Sequence, residues 1–141
     1  MVVVADTSPL NYLVLIGEIE LLPPLYNRIL IPQVVMDELK HPAGPTLVSG
    51  FAAHPPAWLQ IEKMDEPGLP QPGASIADLD SGELAAIILA EAHPNALLMD
   101  EIAGRAEAAR RGIRSIGTLG ILRDAALSGL LDLAAAFQKP S

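Results

Sequence analysis

Four carboxylates in this sequence stand where an acid needs a physical reason: Asp6, Glu38, Glu83 and Asp100. Asp6 follows the β-branched run Val2 to Ala5, and Asp100 follows the apolar run Ala96 to Met99. Both runs read as short buried strands. In an open parallel sheet, ligands bind beyond the carboxyl ends of the strands. Both aspartates would therefore emerge at one edge of the sheet. If their strands are neighbours, two like charges crowd together, which is unfavourable unless a proton or a cation lies between them. The chemistry on offer is cation coordination by carboxylate oxygens.

Each acid also has an ordinary structural account. Asp6 and Asp100 each precede a helix, where the macrodipole favours an anion. Asp80-Ser81-Gly82-Glu83 has the spacing of a capping box, with Asp80 as the cap and Glu83 reaching back. Glu38 is harder to explain in this way. It falls near the C-terminus of its helix, where the dipole disfavours an anion, and it borders the apolar stripe of Val34, Val35 and Leu39. Asp37 lies further round and is the ordinary exposed acid. A carboxylate kept in an unfavourable place requires a partner. Oxygen-only donors point to a hard cation, Mg²⁺ or Mn²⁺, rather than zinc. His41, His54 and His93 sit beside prolines in turn-like contexts and form no ligand pair.

The elements that must position these groups alternate. Strands are expected at Val2 to Ala5, Arg28 to Ile31, Trp58 to Met64, Ala96 to Met99 and Ile113 to Ile116. Thr7-Ser8-Pro9 reads as a helix start with a hydroxyl cap, ahead of helices at Leu10 to Ile16 and Glu20 to Tyr26, broken at Gly17 and ended near Pro23-Pro24. Further helices are expected from Pro32 to Leu39, within 46–53, at Asp80 to Glu91, at Glu101 to Arg111 and at Thr118 to Leu127, with another turn or two after Leu130. The stretch 65–77, rich in Pro and Gly, reads as a surface loop. Strands alternating with helices predict an α/β three-layer sandwich around a central parallel five-stranded sheet. With 141 residues and no internal repeat, 1–141 reads as a single domain.

Composition narrows the classes. Half the residues are hydrophobic and no cysteine is present, so a large core is available while disulfides and thiolate metal sites are excluded. No apolar run approaches the roughly 18 residues of a membrane span. The start, Met1 to Asp6, lacks a basic segment and reaches a charge at once, which argues against a signal peptide. A soluble cytoplasmic protein is the expectation. The net charge of −8 counts against a nucleic-acid partner. Yet Arg105, Arg110, Arg111, Arg114 and Arg123 cluster in one stretch and could track phosphates. For Arg110 and Arg111 the favoured account is a solvated helix end, where cations suit the dipole. Arg105 lies one turn beyond Glu101 and is placed to reach the site rim. A phosphotransfer role for Asp6 is disfavoured, since Ser8 stands where a second acid is needed. No glycine-rich loop follows the first strand, which disfavours nucleotide cofactors.

Five segments in order carry a resemblance: Val3 to Leu10 (VVADTSPL), Ile29 to Leu39 (ILIPQVVMDEL), Leu79 to Ile87 (LDSGELAAI), Leu97 to Arg105 (LLMDEIAGR) and Ile116 to Leu122 (IGTLGIL). The chain resembles the PIN domains, the ribonuclease domain of VapC-type toxins, and within them the branch described as nucleic-acid-binding PIN proteins. The resemblance implies a sheet in the order 3-2-1-4-5, which sets the first and fourth strands side by side. It implies catalytic roles for Asp6, Glu38, Glu83 and Asp100, with Asp6, Glu38 and Asp100 as ligands of Mg²⁺ or Mn²⁺. Thr7 or Ser8 matches the small polar residue beside the first aspartate. Ser8, Arg105 and Thr118 are the substrate-binding candidates. Many PIN ribonucleases carry a further acid after the last strand, where this chain has Gly117-Thr118; Glu101 is a nearby acid at a helix start.

The implied activity is metal-assisted hydrolysis of RNA phosphodiester bonds, as the toxin of a toxin–antitoxin pair. The implied partner is an antitoxin protein, and the small-residue helices of 119–136 could pack a homodimer. A catalytically weak PIN-like module that only binds nucleic acid or protein is the alternative.

Overall fold

The computed structural model describes residues 2–63, 79–93 and 96–131. Its strands are β1 (Val2–Ala5), β2 (Arg28–Pro32), β3 (Leu59–Glu62), β4 (Leu97–Leu98) and β5 (Ser115–Ile116). The helices are α1 (Thr7–Leu15), α2 (Leu22–Tyr26), α3 (Gln33–Leu39), α4 (Thr46–Ala53), α5 (Ser81–Ala92), α6 (Ile102–Arg110) and α7 (Thr118–Leu127). The five strands form one sheet in the order β3-β2-β1-β4-β5, and every pairing is parallel. This is the order and class expected from the sequence.

The two-residue alternation of strands divides the core between two faces. Val3, Ala5, Ile29, Ile31, Leu98 and Ile116 point to one side, where they pack with buried residues of α1, α2, α3, α4 and α7. Val4, Leu30, Leu97 and Met99 point to the other, against Ala86, Ile87, Leu89 and Ala90 of α5 and Ala108 of α6. Helices on both faces explain why the strands read as unbroken apolar runs rather than as alternating ones.

Several boundaries differ from expectation, each for a local reason. Pro23 and Pro24 do not end a helix; they lie in the first turn of α2, where a missing N–H is no loss. A short 3-10 turn, Ile19–Leu21, leads into it. Asp6, not Thr7, occupies the N-cap of α1. The fourth and fifth strands are pared to two residues each, and the third to Leu59–Glu62. Gly112, at φ +73°, turns the chain out of α6 as a left-handed glycine should. The loop expected at 65–77 and the helical turns after Leu130 lie, apart from Leu131, outside the described residues.

The sheet hydrogen bonds continue past the named strands. The Asp6 N–H donates to the Leu98 carbonyl at 2.9 Å, and the Met99 N–H donates to the Ile116 carbonyl at 2.9 Å. The carboxyl ends of β1, β4 and β5 are therefore in step, and Asp6, Asp100 and Gly117-Thr118 leave the sheet at one edge.

Ile29 is fully buried in the middle of this frame. Ile29→Ala should lower unfolding stability by about 2–5 kcal/mol and Ile29→Val by about 0.5–1.5 kcal/mol. The two midpoints in urea denaturation should fall in that order.

Candidate functional site

Asp6 is the most constrained of the acids. It is 2% exposed and stands at the N-cap of α1, yet its side chain makes no capping hydrogen bond. Among the described residues its buried Oδ1 has no hydrogen-bond partner. Asp6 thus occupies the helix start expected of it without using that oxygen as a cap. Burial above all pushes its carboxyl up to about 7, with the Thr7 backbone N–H opposing and the charges of Asp80, Glu38 and Glu101 adding to the rise.

Glu38 arrives from α3, half-buried, while Asp37 is exposed and accepts from Gln33 on its own helix at 2.9 Å. That is the division expected from their helical positions. The Thr7 hydroxyl donates to Glu38 Oε2 at 2.6 Å. Of the two small polar residues after Asp6, Thr7 is thus the one tied to the acids. Among the described residues Ser8 makes no side-chain hydrogen bond. Gly82, in the first turn of α5, faces the Glu38 carboxylate so closely that a Cβ there would overlap Oε1. A glycine at 82 is what lets α5 approach α3 at this point.

Glu83 is 8% exposed, and burial raises its carboxyl to about 7, helped by Asp80 and Asp6. Half of the expected capping box is present: Asp80 caps α5 by accepting from the Glu83 N–H at 2.7 Å. The Glu83 side chain points inward, with Oε2 3.4 Å from where a Cβ on Gly104 would stand. Asp80 is the residue that sequence reasoning undervalued. Its spacing marks it only as a cap, and it is also the foremost of the charges acting on Asp6 and on Glu83. Its position three residues before Glu83, at the same helix end, was the available signal.

Asp100 is held by Thr118. Its Oδ1 accepts from the Thr118 N–H at 2.6 Å and its Oδ2 from the Thr118 hydroxyl at 2.7 Å. Asp100 thus caps α7 from across the sheet edge, in place of Gly117, whose N-cap position has no side chain to do so. A Cβ on Gly117 would come 3.0 Å from Asp100 Oδ1 and 3.3 Å from Arg105 Nη1, so the glycine also makes room for both groups. Thr118, a substrate-binding candidate from sequence, instead directs both its donors to Asp100.

Arg105 is exposed and oriented by an Nε hydrogen bond to Ser115 Oγ at 3.2 Å. Together with Asp100 it lines a cleft of about 460 Å³ between α6, β5 and α7. Arg110 and Arg111 are accounted for structurally. Both pair with Glu107, the latter at 2.7 Å, and Arg111 also reaches Glu91. Asp124 accepts from the Tyr26 hydroxyl at 2.9 Å, which ties α7 to α2.

The charges of Glu38, Asp80 and Glu101 act on Asp6 and those of Asp80 and Asp6 on Glu83, while Asp100, which follows β4, is tied to the start of α7. Among the described residues no three His, Asp or Glu side chains form a closed ligand set for an ion. The donor chemistry nevertheless suits a hard dication: all the groups are carboxylates, and the innermost has a buried oxygen with no donor.

A five-stranded parallel sheet in this order, with helices on both faces, defines the PIN-like class of fold. The family model DUF3368, described as a PIN domain, matches residues 2–139, and the chain belongs to the PIN-domain family. PIN domains are generally nucleases and generally use divalent metals. Among solved structures the chain is similar to a PilT N-terminus domain protein from the hyperthermophilic archaeon Sulfolobus solfataricus P2. The likeness covers 100% of this chain and 98% of that one at 14% identity, with a TM-score of 0.62. At that identity it speaks for the fold alone. Among curated proteins no sequence matches. Among the described residues no helix is long and apolar enough to cross a membrane.

The raised carboxyls have a stability consequence. Asp6 and Glu83 bind protons more tightly folded than unfolded, so each favours the folded state at acid pH. That advantage is lost as pH rises from about 4 through about 7, the window between the unfolded and folded values. In EDTA the melting temperature should be lower at pH 8 than at pH 5.5. Asp6→Asn should remove much of the difference, as read by thermal melts at both pH values.

Proposed function

We propose that this PIN domain hydrolyses RNA phosphodiester bonds with the help of a divalent cation. The observation that carries the proposal is the buried, unpartnered Asp6 oxygen, on which the charges of Asp80, Glu38 and Glu101 also act. A group so placed is stable only with a proton or a cation beside it. In this reading Asp6, Glu38 and Asp100 hold Mg²⁺ or Mn²⁺. When bound, the ion supplies Lewis acidity and offsets charge developing on the phosphate.

The residues of the chain divide the remaining work. Thr7 fixes the Glu38 carboxylate through its hydroxyl. Thr118 fixes Asp100 through its N–H and hydroxyl, leaving each oxygen a further lone pair. Glu83, with its carboxyl raised to about 7, is suited to position the attacking water and accept its proton near neutral pH. Arg105, at the rim beside Asp100, binds the strand through a phosphate. Ser8 remains a substrate-binding candidate on position alone, beside Asp6.

The finer reading is an endoribonuclease acting as a cytoplasmic toxin with a cognate antitoxin, built as one domain over 1–141. Exposed Leu127 at the end of α7, outside the cleft lining, supports a homodimer through that helix end. One observation favours a second reading, a module that binds without cleaving. Gly117-Thr118 stands where many relatives have an acid, and Thr118 uses both donors on Asp100.

The test is cleavage of mixed structured RNAs with added Mn²⁺. Cleavage should require the ion, stop in EDTA, and fall in Asp100→Asn by more than the roughly 10–100-fold that changes outside the ligand shell produce. Bound Mn²⁺ with no cleavage of any RNA would select the binding module.

A further inference from the structure

Of the five arginines of 105–123, Arg110 and Arg111 are expected from sequence at a helix end and Arg105 at the site rim, and the fold assigns all five. Arg110 and Arg111 are taken up by Glu107 and Glu91. Arg105, Arg114 and Arg123 come from three places, α6, the segment before β5, and α7, and they line the same cleft. Ser115 sets the Arg105 guanidinium by accepting from Nε at 3.2 Å. Among the described residues Arg114 has no ion pair. Arg123 has only a loose one, 3.7 Å from Asp124, whose other oxygen is engaged by Tyr26. Three cations thus line the cleft with one acid, Asp100, which is engaged by Thr118 and forms no ion pair with any of them. Gly117 and Gly120 contribute only backbone to the lining, which keeps the cleft open between the arginines.

Three guanidiniums held near one another repel unless an anion joins them. A planar guanidinium matches phosphate oxygens in a bidentate way, so phosphate is the anion of choice. Leu119, 70% exposed, also lines the cleft and offers an apolar rim next to the cations, the pairing that a nucleotide presents. In a chain of net charge −8, a focused basic cleft next to the acids also gives an anionic strand a defined place to dock.

We propose that the cleft of Arg105, Arg114 and Arg123 is a phosphodiester subsite, which holds the backbone of a single nucleic-acid strand on the Asp100 side of the carboxylates. The inference rests on the nuclease reading for its substrate, but it concerns binding and not cleavage. Its test can therefore be run without metal.

Fluorescence anisotropy of a labelled mixed-sequence RNA oligonucleotide without terminal phosphates, in EDTA, reads this directly. Arg114→Ala and Arg123→Ala should each weaken binding several-fold. Each should also flatten the dependence of log affinity on log salt by about 0.7 for every phosphate no longer neutralised. Arg110→Ala should leave both quantities unchanged, and melting temperatures report whether each variant is folded. Affinity and salt slope unchanged in folded Arg114→Ala and Arg123→Ala would overturn the subsite. So would displacement of the strand by micromolar inorganic phosphate with no dependence on strand length, which would mark free phosphate as the ligand. If arginine-dependent binding holds while Mn²⁺-dependent cleavage fails, the nuclease reading falls and the subsite stands. If cleavage holds while binding ignores these arginines, the reverse is true.

Discussion

A carboxylate buried beside other carboxylates is the constraint on which this structure turns. Asp6 sits where the first strand delivers it, at the edge shared by β1, β4 and β5, with one oxygen lacking a donor among the described residues. Parallel strands all finish at the same edge, so the topology itself gathers the acids that follow them. The apolar frame beneath, with Val3, Val4, Leu97 and Leu98 fully buried, is rigid enough to hold Asp6 in a position it would not choose alone. Burial raises the carboxyl of Asp6, and Glu38, Asp80 and Glu101 raise it further. Local instability at this edge is what a bound proton or cation would relieve.

The neighbouring groups show how closely the backbone has been fitted to those acids. Two glycines, Gly82 and Gly117, stand where any Cβ would crowd a carboxylate, of Glu38 and Asp100 respectively. Two threonines, Thr7 and Thr118, donate to the same two carboxylates. Each acid is thus held by a hydroxyl and given space by a glycine. In both cases the threonine is the first residue of a helix, so orienting the acid and starting the helix are done by one residue.

Charge is distributed unevenly along the chain. The chain is acidic overall, and the inner acids account for part of that. Ion pairing removes Arg110 and Arg111 from consideration and leaves Arg105, Arg114 and Arg123 around the cleft next to Asp100. An acidic protein and an anionic substrate are compatible when a local basic surface adjoins a site whose own charge a cation offsets.

Much of this was legible without coordinates. Alternation of apolar runs with helical stretches gave an α/β sandwich, and the five ordered segments gave the PIN resemblance and the strand order. Helical spacing placed Glu38 at the border of the apolar stripe and Asp37 in solvent, because a 3.6-residue repeat fixes angles around a helix. What sequence could not decide was the partner of each group. Asp100 precedes α6 but caps α7, Thr118 holds an acid rather than awaiting a substrate, and Asp80 acts on Asp6 and Glu83 as well as capping its helix. The prolines at 23 and 24 open a helix that they were expected to close. Local rules determine which segments become strands and helices, since propensity and periodicity act over a few residues. Which oxygen meets which donor across Asp100 and Thr118 depends on how β4 and β5 pair, and only the folded chain brings those residues together.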